Sequence, residues 1–173
     1  MPRTMLEPWH DFFTLVGASA ATLVGLMFVA ASVGTGLFSE EREIGLRTFL
    51  SPTVVAFSVV LASCVVGVLP SPNSSVPAAL VSGIGLLGLV YSALIWRRMV
   101  RNGLVRKIDL EDRIWYAVAP ALAYVVLTVS GVAFALASEA GAALLAAGIC
   151  LLLLAGIRNA WDMTTWAVLR RPG

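Results

Sequence analysis

IWYAVAPALAYVVLTVSGVAFALASEAGAALLAAGICLLLLAGI, residues 114–157, decides the fold, because it carries one charge, Glu139, in more than 40 residues. A helix rises about 1.5 Å per residue and the hydrocarbon core of a bilayer is about 30 Å thick, so the stretch is far too long for one crossing. It divides at the charge. Ser138 suits an N-cap, and Glu139 falls in the first turn of the following helix, where a carboxylate complements the helix dipole. The reading is two spans, 114–138 and 140–157, joined by a tight turn at 137–141, with the second helix extending toward 169.

Working outward, further apolar runs occupy 12–38, 48–69 and 76–96, giving five spans in one membrane domain covering 1–173. The whole composition agrees: 59% of the residues are hydrophobic, 13% are charged, and the mean hydropathy is +0.90. Such a chain is not an ordinary water-soluble enzyme. A transmembrane barrel needs many segments of about ten residues with alternating polarity, and these runs do not alternate. The expected fold is therefore an all-α polytopic helical bundle. Ser39 followed by Glu40 and Glu41 reads as a helix start before the second span, and Asp109 with Glu111 and Asp112 does the same before the fourth. Pro70 to Pro77 reads as a loop, whereas Pro52 and Pro120 fall inside helices and are expected to kink them. The 12–38 run is read as a retained span, since Glu7 and Asp11 replace the positive region of a leader and the run exceeds an h-region in length.

Basic residues orient the chain, because loops facing the cytoplasm are enriched in Arg and Lys. With five spans and an outside N-terminus, every Arg and Lys except Arg3 falls inside, the largest group lying between Arg97 and Arg113. Trp96, Trp115, Trp161 and Trp166 then sit at the inner interface and Trp9 at the outer one. The expected topology is N-out, C-in. The 97–113 loop reads as a topology determinant that also attracts anionic lipids.

Two constellations stand out. In the first span Gly17, Ala21 and Gly25 recur every four residues, and Ser32 and Gly36 extend the same side. Small residues let helix backbones approach closely in lipid. The stripe packs inside one protomer or forms a self-association seam, and its spacing predicts that Gly25→Leu disrupts folding or assembly. At the end of the fifth span Arg158, Asn159, Trp161 and Asp162 form a polar cluster at the inner interface, with Arg158 and Asp162 spaced to pair. It reads as a headgroup anchor or as a polar group facing a cavity or partner.

Other features carry less. His10 and Asp11 read as interfacial anchors, and a lone histidine does not make a zinc site. Gly83, Gly85 and Gly88 follow no strand and read as helix-packing residues, not a phosphate loop. Cys64 and Cys150, each mid-run, read as small hydrophobes. No catalytic, cofactor-binding or metal residue is assigned: no nucleophile with a base, and no ligand set, can be named. The net charge of +2 gives no footing for a nucleic-acid partner, and no small-molecule substrate is identifiable.

Trp9-His10-Asp11-Phe12-Phe13, the Gly17 to Val29 run, and Ile157-Arg158-Asn159-Ala160-Trp161-Asp162 together resemble a group of small, uncharacterised bacterial polytopic membrane proteins, some labelled modulator of FtsH protease. The resemblance implies a bacterial plasma-membrane protein acting on another membrane protein, and it carries over no residue role. Ser19 to Val33 also resembles the pore helix of Orai calcium channels, a family whose N-terminus lies inside, opposite to the orientation read here. The expected function is a non-enzymatic modulator or scaffold working through helix contacts with itself or another membrane protein. The alternative is a homo-oligomeric passive pore lined by small-residue helices. An ion-coupled carrier is disfavoured, because the spans lack the Asp, Glu or Lys that such carriers place near the midplane.

Overall fold

The computed structural model describes residues 6–35, 40–70, 73–101 and 114–169. Among them the chain is all-helical. One 3-10 turn, Glu7–Trp9, leads into α1 (His10–Thr35), followed by α2 (Glu40–Val68) and α3 (Ser75–Arg101). A π-helical turn, Ile114–Val118, runs into α4 (Ala119–Ala135), and α5 spans Ala140–Leu169. Four helical segments are long and apolar enough to cross a membrane: Glu7–Ala30, Ser75–Arg98, Ile114–Ala135 and Ala140–Asp162. The apolar part of α2, Pro52–Val68, is shorter.

The division of the 114–157 stretch stands at the expected turn. α4 ends in a Schellman motif, in which the Ser138 N–H donates to the Ala133 carbonyl at 2.9 Å and the Ala137 N–H to Phe134 at 3.0 Å. Ala137 has φ +52°, the left-handed conformation usually given to glycine at this position. Ser138 then caps α5, its Oγ accepting from the Ala140 N–H at 3.4 Å.

One boundary shifts. α3 begins at Ser75 and so takes Val76 and Pro77 out of the expected loop, because proline in a first turn lacks an N–H that would have no partner there anyway. Asn73 accepts from the Ser75 hydroxyl at 2.8 Å just before that helix. α2 starts at Glu40, as the acidic pair predicts. The helix start read at Asp109 to Asp112 lies outside the described residues, as does Gly36.

The helices pack as antiparallel neighbours, and glycine notches set the spacing. On α3 and α4 a Cβ added to Gly85 would come within 2.6 Å of the Thr128 amide, and one on Gly131 within 2.6 Å of the Ser82 amide. Only hydrogen at these positions allows the two backbones to approach so closely. Elsewhere a ring fills the notch: Phe13 over Gly67 joins α1 to α2, Phe57 over Gly156 joins α2 to α5, and Phe134 over Gly141 joins α4 to α5. The order across the bundle is thus α1, α2, α5, α4, α3. The centre is filled by large buried side chains, among them Phe57, Tyr124, Leu127, Leu145, Ile149 and Leu152.

α1 is peripheral. Only 17% of its apolar segment is buried, against 50% for α5. Its start is tied down by Phe13 and by edge-to-face contacts of Phe12 with Trp9 and Phe13, at 5.8 and 5.4 Å between ring centroids. Beyond Ala20 the face toward α2 is at most half-buried, and Leu26, Phe28 and Val29 are exposed.

Candidate functional site

The end of the bundle formed by the last turns of α3 and α5 and the first turns of α4 holds the buried amide of Asn159. Asn159 of α5 is 4% exposed although it belongs to a helix end rich in charge. Its Nδ2 donates to the Trp115 carbonyl at 3.4 Å, in the π turn. A carbonyl only accepts, so this contact fixes the amide orientation and directs Oδ1 elsewhere. That Oδ1 is buried with no hydrogen-bond partner.

Flanking Asn159 on α5, Arg158 and Asp162 form the expected i, i+4 ion pair through Nη1 and Oδ1. The second carboxylate oxygen, Oδ2, is also buried and unpartnered. The Asp162 carbonyl accepts from the Thr165 hydroxyl at 2.9 Å, which closes the helix surface behind it. Trp161 points away from this cluster and is 66% exposed, as an interfacial anchor would be. The four residues read together in the sequence therefore separate by helix face: Asn159 inward, Asp162 and Arg158 at the edge, and Trp161 outward.

Asn159 lines a small cavity of about 30 Å³, room for about two water-sized groups. Its walls are Pro52 and Ala56 from α2, Tyr91, Ser92 and Ile95 from α3, Tyr116, Pro120 and Tyr124 from the π turn and α4, and Gly156 from α5. Pro120 explains the local backbone. It cannot donate to the carbonyl four residues earlier, at Tyr116, and its ring crowds that carbonyl. The chain accommodates this with wider i→i+5 turns over Ile114–Val118, a local geometry that often accompanies functional sites. The sequence-level expectation of a bend at Pro120 thus becomes a π turn that sets Tyr116 and the Trp115 carbonyl at the pocket.

Sequence reading singled out Asn159 and missed the tyrosines. The available signal was compositional: Tyr91 and Ser92 are a polar pair in an otherwise apolar run, and Tyr116 and Tyr124 bracket Pro120. Which walls meet is a matter of helix order, and spacing within a helix does not contain it.

Within the protomer the first-span stripe is covered only at its start, and Gly36 lies outside the described residues. Gly17 is buried, with its Cβ position 3.0 Å from Cys64 Cβ. Ala21 and Ser32 are exposed, and Gly25 faces open space with nothing within 4 Å. The close-packing glycines of the third span are Gly85 and Gly88, whereas Gly83 meets nothing within 4 Å. His10 and Asp11 are exposed, and the described residues contain no group of three or more His, Cys, Asp or Glu side chains placed to hold a metal ion. Comparison of the chain with protein-family models, curated proteins and solved structures finds no match.

Proposed function

We propose that the chain is a five-span bacterial plasma-membrane protein with its N-terminus outside and its C-terminus inside, acting without catalysis as a modulator or scaffold through helix contacts with itself or another membrane protein. The observation that carries this reading is α1, a helix held to its bundle on one side only, with Ala21 and Gly25 on a surface left uncovered among the described residues. Backbone-close contact in lipid requires such small residues. The antiparallel order of the helices supports five crossings, since the start of α1, the α2–α3 turn and the α4–α5 turn gather at one end. Five crossings would then assign the sequence segments holding every Arg and Lys except Arg3 to the cytoplasmic side.

The test is a photo-crosslinking residue at Gly25 in the native membrane. The reading expects a discrete protein adduct, either a second copy or another membrane protein, that disappears when Ala21 is replaced by Leu. Adducts with lipid alone would contradict it. A pore has no room along the filled centre of one protomer and would have to form between copies. An assembly of four or more chains that conducts in planar bilayers would move the reading there.

A further inference from the structure

We propose that the cavity beside Asn159 binds a primary ammonium group, delivered either by the ethanolamine headgroup of a phospholipid or by a free small amine. The orphaned buried atom among the residues lining the cavity, Asn159 Oδ1, is an acceptor; Asp162 Oδ2, orphaned one turn further along α5, lies outside the lining. Leaving such atoms unpaired in a low-dielectric interior is costly, so the fitting occupant is a donor. An ammonium nitrogen carries several donors on one atom. Tyr91 and Tyr124 are among the lining residues, and aromatic rings attract cations. The volume of about 30 Å³ takes a nitrogen and the carbon bearing it, and excludes a trimethylated head.

Charge outside the cavity argues for a zwitterion. Arg98 lies one turn beyond the cavity wall at Ile95, on the same helix face, and is exposed at the end of α3. It stands where the phosphate of a headgroup would lie if its ammonium end reached Asn159, and arginine is well suited to phosphate. The proposal rests on the helices being membrane spans, not on the modulator role. A headgroup would meet this end of the bundle in either leaflet, so a failure of the orientation and a failure of the site are separable.

The experiment reconstitutes the full chain in vesicles of equal parts phosphatidylethanolamine and phosphatidylcholine, extracts it gently, and counts retained lipids by native mass spectrometry. Wild type is expected to retain phosphatidylethanolamine in preference to phosphatidylcholine. Asn159→Leu should lower that preference about tenfold, the effect of losing one charge-assisted hydrogen bond. Asn159→Asp, which keeps an acceptor and gives up the Nδ2 contact with the Trp115 carbonyl, should retain more of it than the leucine variant does, so the comparison survives if the leucine variant folds poorly. Calorimetric titration of delipidated protein with methylammonium distinguishes the sources. An Asn159-dependent heat without lipid preference assigns the site to free amines. Equal retention of both lipids, together with no Asn159-dependent methylammonium heat, overturns the proposal and leaves a water-filled cavity.

Discussion

At the scale of single residues, the structure ranks glycines that look alike in the sequence. Gly25 and Gly85 both sit in apolar runs among other small residues, yet a methyl group at Gly85 would collide with the Thr128 backbone while one at Gly25 meets nothing within 4 Å. Gly85→Ala is therefore expected to destabilise the protomer by about 1–3 kcal/mol, the usual cost of overpacking. Gly25→Ala should leave thermal stability in detergent unchanged. Thermal unfolding of the two variants side by side checks the ranking, and equal losses would contradict it. The expectation that Gly25→Leu damages folding is accordingly narrowed to assembly. Ala137 offers the opposite kind of test. Its φ of +52° places a Cβ where the left-handed region strains it, so Ala137→Gly should stabilise by about 1 kcal/mol. What was legible here was chemistry: Ser138 and Glu139 announce the turn. What was not legible was the neighbour across each helix, which alone decides whether a glycine is a notch or an open surface.

At the scale of elements, polar punctuation located most helix ends, and proline misled in two different ways. Pro77 joined α3 instead of the loop because a first turn tolerates it, and Pro120 widened the preceding turn into a π helix. The second effect builds the pocket, so Pro120→Ala is expected to relax Ile114–Val118 toward a regular helix and carry Tyr116 off the cavity wall. The fold should persist while retention of the ethanolamine lipid drops. Unchanged retention in this variant would show that the π turn plays no part in the site. α1 makes a related point. Its sequence presents one stripe of small residues, but of those described, antiparallel contact with α2 buries only Gly17, between the buried Phe13 and Ala20. Helical periodicity can assign residues to a face, but it does not tell how far along that face a neighbour extends.

At the scale of the whole molecule, composition yields four helices long and apolar enough to cross a membrane, and the glycine notches fix the order of the helices. The fold class was legible because lipid leaves a long apolar chain few alternatives to helices. The pocket was only half legible, since Asn159 announced itself as a polar residue at a helix end while its walls come from four elements. The element whose crossing decides the topology is α2, whose apolar stretch Pro52–Val68 is the shortest among the five helices. If α2 crosses the membrane, the α2–α3 turn at Asn73 and the α4–α5 turn at Glu139 both face outside, and Asn102 faces inside. The most direct measurement is labelling of single-cysteine variants in intact cells with an impermeant maleimide, with Cys64 and Cys150 replaced by alanine. Asn73→Cys and Glu139→Cys should react, and Asn102→Cys should react only after the membrane is opened. Labelling of Asn102→Cys in intact cells, with Asn73→Cys protected, would contradict the five-span, N-out account.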